Sequence, residues 1–289
     1  MCQSMRAVPP PNSPVLRVFS AASQSSPMPD RFAENATITA RTDLTQDLTM
    51  IRVMPDFPLP AFVPGQYAEL AIVEQVPDTQ APLGRLVRKA YSMASVPQDV
   101  RGLEFYITLV AAGDLTPKLW RLGEGARLWM NPRIKGKFTL DPVRPGADLL
   151  LFATGTGIAP YLSMLRTFAE HPPWHRVFVF HGVREAADLG YRAELESYAA
   201  RSERMFYVPS VTREPQESTW CGLRGRMTDL LRNGAYEEHL RCRFSPENCQ
   251  VMLCGNPEMV DETQQILEAR GFRQHSKKHP GQIHVERYW

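Results

Sequence analysis

Leu149-Leu150-Leu151-Phe152-Ala153-Thr154-Gly155-Thr156-Gly157-Ile158-Ala159-Pro160 joins five consecutive apolar residues, a Gly/Thr turn and a run with proline near its start. An unbroken apolar segment of that length suits a strand buried on both faces, and proline is preset for the first turn of a helix. The same alternation continues downstream. Apolar periodicity predicts strands at 149–153, 176–182, 205–212 and 250–254, and amphipathic helices at 159–170, 191–202, 226–233 and 257–271. Strands alternating with helices imply a doubly wound parallel sheet, an α/β unit.

Upstream of Asp141-Pro142-Val143-Arg144-Pro145-Gly146 the pattern changes. Short extended segments at 36–42, 49–54, 66–73, 89–94, 103–111 and 126–130 are cut by clusters such as Val63-Pro64-Gly65, with one helical stretch at 116–122. Closely spaced strands without helical period indicate a small antiparallel β-barrel. Residues 1–29 hold Pro9-Pro10-Pro11, several serines and no acidic residue. They are expected to be a disordered extension: the prolines would break a transit-peptide helix, no apolar region supports secretion, and Met28 is a candidate start. The expected organisation is 1–29 extension, 30–142 barrel and 147–289 α/β domain.

Composition narrows the function. The chain has 289 residues, enough for about two self-sufficient domains, and 33 Lys+Arg against 31 Asp+Glu, too even a balance for a polybasic nucleic-acid surface. Five cysteines, at 2, 221, 242, 249 and 254, make no CxxC pair, so a zinc ribbon, disulfide scaffold or iron–sulfur loop would lack ligands. No metal site is expected, and a reducing, cytoplasmic setting is. No apolar run approaches bilayer length.

In an open parallel sheet, ligands bind beyond the carboxyl ends of the strands. Thr154-Gly155-Thr156-Gly157, Val183-Arg184, Thr212-Arg213 and Cys254-Gly255-Asn256-Pro257 all fall there, and Arg226 follows Gly225 at another loop. The Gly/Thr turn suits close approach of an anion, although such turns are often only tight turns. The arginines together form a candidate phosphate pocket, since fork-shaped guanidiniums grip phosphate. Cys254 alone reads as a small buried residue, and Tyr91 alone as core.

Arg88-Lys89-Ala90-Tyr91-Ser92-Met93-Ala94-Ser95 resembles the R-x-Y-S-x-x-S flavin motif of the ferredoxin-NADP reductase superfamily. The α/β unit supplies further motifs in order: Thr154-Gly155-Thr156-Gly157-Ile158-Ala159-Pro160-Tyr161-Leu162-Ser163, Ala186-Ala187-Asp188-Leu189, Met252-Leu253-Cys254-Gly255-Asn256-Pro257 and a terminal Tyr288-Trp289. The resemblance covers about 30–289, and the aromatic ending after Pro280-Gly281 is similar to the bacterial ferredoxin/flavodoxin-NADP reductases.

The resemblance implies a barrel that binds FAD, a parallel-sheet domain that binds NADP(H), and electron exchange with ferredoxin or flavodoxin. It implies that Tyr91 lies against the flavin, that Ser92 sits near flavin N5, and that Cys254 lies beside the nicotinamide; these are the expected catalytic residues. Lys89, Ala90, Tyr106, Ile107, Thr108 and Leu109 would line FAD, and Gly113, Asp114, Leu115 and Thr116 would hold its pyrophosphate. Thr156 would touch flavin or nicotinamide. Val183, Arg184, Thr212, Arg213 and Arg226 would bind the 2′-phosphate of NADP, and Tyr288 and Trp289 would cover the flavin. Lys89 stands where the family has an arginine; strand alternation points it with Tyr91 and points Arg88 away, so the charge is kept and the bidentate fork lost. The basic string Arg270, Arg273, His275, Lys277, Lys278 and His279 is a candidate docking face for an acidic carrier. The expected protein is a monomer. The alternatives are a flavin reductase serving a ferric siderophore or a separate oxygenase component, and a binding protein that has lost turnover.

Overall fold

The computed structural model describes residues 33–74, 85–168 and 171–288. The expected extension 1–29 and Trp289 lie outside the described residues. The first sheet contains β1 (Ala36–Thr45), β2 (Leu48–Pro55), β3 (Tyr67–Glu74), β4 (Arg85–Ser92), β5 (Leu103–Thr108) and β6 (Arg127–Met130). Its order is β4-β3-β6-β1-β2-β5, with every neighbouring pair antiparallel. The edges do not zip together. Among the described residues, a bridge between Met93 and Phe105, with Ala94 N donating to Glu104 O at 2.8 Å and Glu104 N to Ser95 Oγ at 3.1 Å, joins the end of β4 to β5. The sheet is therefore barrel-like, wrapped around Ile38, Val53, Leu70, Met93, Phe105 and Ile107.

Two boundaries differ from the sequence reading for local reasons. Helix α1 spans only Thr116–Leu119, because the carbonyls of Trp120 and Leu122 turn away to accept from the Arg41 guanidinium. Strand β5 stops at Thr108 because Val110 is captured by the Thr116 hydroxyl, which accepts from its N–H and donates to its C=O, both at 3.0 Å.

The second sheet contains β7 (Asp148–Thr154), β8 (Val177–Val183), β9 (Met205–Val211), β10 (Leu223–Arg224), β11 (Cys249–Gly255) and β12 (Ile283–Arg287), all parallel, in the order β10-β9-β8-β7-β11-β12. Helices α2 (Ala159–Phe168), α3 (Arg192–Arg201), α4 (Met227–Arg232), α5 (Ala235–Leu240) and α6 (Pro257–Ala269) cover it. Successive residues of β7 serve opposite faces. Leu149, Leu151 and Ala153 pack with Tyr161, Leu162 and Leu195 of α2 and α3; Leu150 and Phe152 pack with Leu230, Tyr236, Val260 and Leu267 of α4, α5 and α6. Two complete cores explain why the strand is apolar throughout. No helix among the described residues is long and apolar enough to cross a membrane.

The strand order reverses between β7 and β11, where the chain leaves two neighbouring strands in opposite directions. The two departing turns touch backbone to backbone. A Cβ on Gly157 would lie 2.5 Å from Cys254 O, and one on Gly255, at φ +131°, would lie 2.3 Å from Thr154 Oγ1. Asn256 N donates to the same Thr154 oxygen at 2.9 Å. Gly157→Ala is therefore expected to lower stability by about 1–3 kcal/mol through overpacking against backbone that has no rotamer to yield. Urea unfolding checks this: the midpoint should fall while the slope stays constant.

Candidate functional site

The strands of the two sheets deliver three polar side chains to one point. Ser92, buried at the end of β4, donates from Oγ to Glu286 Oε2 at 3.2 Å, and Cys254 Sγ, fully buried at the end of β11, approaches the same oxygen at 3.8 Å. Glu286 arrives there because parallel pairing sets it directly beside Cys254. Tyr288 N then donates to Gly255 O at 3.1 Å, which holds the tyrosine over this group.

Burial dominates the electrostatics. It raises the Glu286 carboxyl to about 7, although the bonds from Ser92 and Cys254 pull the other way. It also drives the Cys254 thiol well above its usual range, and the neighbouring Glu286 charge adds to the rise. Cys254 is therefore an S–H group at neutral pH and no thiolate nucleophile. Among the described residues the hydroxyls of Tyr91 and Tyr288 are buried without a hydrogen-bond partner of good geometry, that of Tyr288 lying near Ser92 and Cys254; a buried polar atom left so is costly, and a bound polar molecule relieves it.

On β4, Lys89 pairs with Leu70 and Tyr91 with Ala68, so both share the face of two interior residues; Arg88 pairs with Ala71 on the opposite face, near Glu69. Ala90 is exposed opposite Glu69. Tyr106 is buried with its hydroxyl between Gly190 N, from which it accepts at 3.1 Å, and Asp188 O, to which it donates at 3.2 Å. Ile107 is core and Thr108 exposed, and Leu109 N remains bonded to Asp47 O. At the start of α1, Leu115 is core, Asp114 is exposed, and the Thr116 hydroxyl is committed to Val110. The amides of Asp114, Leu115 and Thr116 have no hydrogen-bond partner among the described residues and remain the donors this junction offers an anion.

The nucleotide side is built by backbone zippering. Arg213 N donates to Arg184 O at 2.7 Å, and Thr212 N and Oγ1 both donate to Val183 O. Val183 itself is core, so Arg184 and Arg213 emerge together from adjacent strand ends. Gly225 N bonds Val211 O, bringing Arg226, the residue before α4, to the same end of β9. Arg184, Arg213 and Arg226 make no ion pair among the described residues, whereas Arg224 is spent on Glu214 O, Pro215 O and Ser218. Thr156 sits half-buried in the 3-10 turn Gly155–Ile158 that connects β7 to α2.

Two site residues escaped the sequence reading. Glu286 lies in β12, whose Ile283-His284-Val285-Glu286-Arg287 alternation is the signal of a half-buried strand. His181, in the middle of an apolar run, donates from Nε2 to Gly155 O at 3.0 Å and accepts at Nδ1 from Tyr207 OH at 3.2 Å, bracing the Gly/Thr turn. A carbonyl can only accept, so the tautomer is fixed, and burial holds the ring neutral by lowering its pKa to about 4. The basic string needs one correction. Arg270 is paired with Glu237 at 2.9 Å and caps Leu231 O, so it belongs to the packing of α6 on α4 and α5. His275 stacks on buried His284 with centroids 4.6 Å apart, while Arg273, Lys277, Lys278 and His279 are exposed.

Comparison with known proteins places the fold in a family. Residues 151–265 match the family model of the oxidoreductase NAD-binding domain. A flavodoxin/ferredoxin–NADP reductase of Buchnera aphidicola is 32% identical over 83% of this chain and 93% of its own length, and that of Escherichia coli is 34% identical over 80% and 90%. The structure of a ferredoxin NADP+ reductase from Neisseria gonorrhoeae with bound FAD and NADP superposes with a TM-score of 0.77 at 28% identity, covering 88% of this chain and 98% of the other. This chain belongs to the ferredoxin/flavodoxin–NADP reductase family.

Proposed function

We propose that the chain is an FAD-dependent oxidoreductase that exchanges electrons between NADPH and ferredoxin or flavodoxin, with residues 30–142 holding FAD and 147–289 holding NADP(H). The observation that carries this reading is the meeting of Ser92 from one sheet with Cys254 and Glu286 from the other, beside two tyrosine hydroxyls that lack partners. Such a seam suits two ring systems placed against each other, one held by each sheet.

The donor set fits both groups. Tyr91 and Tyr288 offer aromatic faces and unpartnered hydroxyls for a flavin. Lys89 and the free amides of residues 114–116 offer positive charge and N–H donors for its pyrophosphate. Arg184, Arg213 and Arg226 offer unpaired guanidiniums for a 2′-phosphate. When bound, FAD joins the two-electron chemistry of nicotinamide to the one-electron chemistry of the carriers. The chain's part is to orient and to manage one proton. Ser92 Oγ sits between the reacting face and Glu286, and a carboxyl raised to about 7 holds or releases a proton there near neutral pH. Cys254 stays protonated and fills the floor of the site without reacting. The exposed Arg273, Lys277, Lys278 and His279 supply a positive face for an acidic carrier. A cytoplasmic monomer completes this reading.

Mass analysis of the cofactor released from the purified protein should find FAD, and NADPH oxidation should proceed with ferricyanide and with the host's ferredoxin or flavodoxin. Carrier reduction should weaken steeply with salt. Release of FMN alone, or no NADPH oxidation with any acceptor, would overturn the reading.

Arg213→Ala should lower the NADPH kcat/KM by about tenfold or more and leave NADH nearly unaffected, since a charged hydrogen bond contributes about 1.5–3 kcal/mol. Parallel steady-state titrations of the two nucleotides decide it, and equal losses would make the arginine structural.

Glu286 gives a prediction with a definite sign. Folding raises its pKa from the ordinary 4.5 to about 7, so the native state keeps a proton that the unfolded chain has released, and this contribution to stability is lost as pH rises from about 4.5 through about 7. Glu286→Gln should remove that slope from the stability profile and remove the limb near neutral pH from the kcat profile.

A further inference from the structure

Ser163 and Arg166 lie three residues apart on α2, on one face of the helix. Ser163 Oγ, fully buried, donates to Ser95 O at 2.7 Å. Arg166 Nη1 donates to Ala94 O at 2.8 Å and to Glu104 Oε1 at 2.7 Å, while its Nε and Nη2 form a fork on the two oxygens of Glu194, each at 2.7 Å. Ala94 follows the flavin-motif strand and Glu104 lies in β5, both in the barrel-like part; Glu194 lies in α3 of the other. One guanidinium thus ties four segments across the seam.

The surroundings complete the clamp. Glu104 Oε2 is taken by Arg52, which also holds Asp99 at 2.8 Å. Tyr191 OH donates to Glu104 Oε1 at 3.0 Å, and its ring lies 5.2 Å from the Arg166 guanidinium. To reach that place Tyr191 adopts φ 61°, a left-handed conformation that a tyrosine keeps only where neighbours hold it. Tyr198 OH donates to Glu194. Acid and base alternate through Asp99, Arg52, Glu104, Arg166 and Glu194, and every charge has a partner.

The clamp acts on the site through both ends of α2. At its start, Gly157 of the preceding turn abuts Cys254 O; further along, Ser163 and Arg166 grip the carbonyls of Ser95 and Ala94, three and two residues past Ser92. We infer that Arg166 is a positioning residue that sets the spacing of Ser92 against Glu286 and Cys254, and with it the approach of nicotinamide to flavin; this rests on the function proposed above. Without the guanidinium, Glu104 and Glu194 would face one another across the seam and push Ala94 away from α2. Reactions that need contact distance lose as much as about a hundredfold in rate for an error of about 1 Å.

The test uses the FAD-loaded full chain and the variants Arg166→Gln, Arg166→Lys and Glu194→Gln. Rapid mixing with NADPH follows flavin bleaching, and amide hydrogen exchange follows residues 92–96 with and without FAD. For Arg166→Gln the limiting bleaching rate should fall about tenfold or more while the NADPH concentration for half-maximal rate changes less than about threefold, and exchange at 92–96 should rise while β8 and β9 stay protected. Arg166→Lys, which keeps one donor for Ala94 O, should recover part of the rate. Wild-type bleaching and exchange in Arg166→Gln would overturn the inference, as would a rate loss that merely follows lost FAD. Should Arg166→Gln not fold, Glu194→Gln decides: it frees only the α3 half of the fork, several-fold slower bleaching is expected, and an unchanged rate overturns the clamp. If NADPH fails to bleach even the wild type, the proposed function falls, and the exchange comparison still decides whether Arg166 holds the seam.

Discussion

Backbone contact between the turns after β7 and β11 is the constraint from which the rest follows. Gly157 and Gly255 have no room for a side chain, because each faces the other turn's main chain or the Thr154 hydroxyl that ties the two together. That contact fixes where α2 and α6 begin, and it sets Cys254 at the floor of the cleft that opens when the strand order reverses. From Cys254, parallel pairing sets Glu286, and from Gly255 a single hydrogen bond sets Tyr288. Cys254, Glu286 and Tyr288 are thus positioned by main chain.

The charges sort into those the fold has used and those it has left free. Arg224 and Arg270 resemble their neighbours in sequence, yet the first is saturated by carbonyls and a hydroxyl and the second by Glu237 and a helix end. Arg184, Arg213 and Arg226 are brought by the main chain to the ends of β8 and β9 and form no ion pair among the described residues, although Arg226 lies near enough to Glu262 to lower its carboxyl pKa. A guanidinium that the fold leaves unpaired stays free to grip an anion, which is the use the proposed 2′-phosphate pocket makes of these three. The central acid shows the reverse: Glu286 is half-buried beside the neutral donors Ser92 and Cys254, and with no cation paired to it among the described residues its carboxyl stays raised to about 7.

How much was legible in the sequence follows from the physical origin of each feature. The apolar run of β7 carries the requirement of two buried faces in its own composition, and the same holds for β8 and β11; their positions were readable to within a residue or two. Strand β10, two residues long, carries too little pattern to register. Strand β12 pairs with β11 and alternates apolar with polar residues over only five positions, too short a half-buried pattern to stand out although Ile283 is fully buried. Missing that strand meant missing Glu286, whose place depends on pairing with a strand about thirty residues earlier. The places of Ser92 at the end of β4 and of Arg184 just past β8 were legible because short local patterns mark them; the Arg166 clamp was not, since Ala94, Glu104 and Glu194 meet it only in three dimensions.

The same distinction explains why this site is divided between two sheets. The proposed transfer requires a flavin and a nicotinamide to face each other closely. The seam between the two sheets combines apolar packing, in which Ala94, Tyr106 and Phe138 join the core on one face of the second sheet, with a few directional contacts: Ser163 on Ser95 O, Arg166 on Ala94 O and Glu104, Tyr106 between Gly190 and Asp188, and Ser92 on Glu286. Apolar packing tolerates sliding because it has no preferred direction, whereas hydrogen bonds of this kind are lost within an ångström. Ordering the seam by polar contacts therefore gives the reacting groups one register, and the cost is that each of those contacts has to be made for the register to hold.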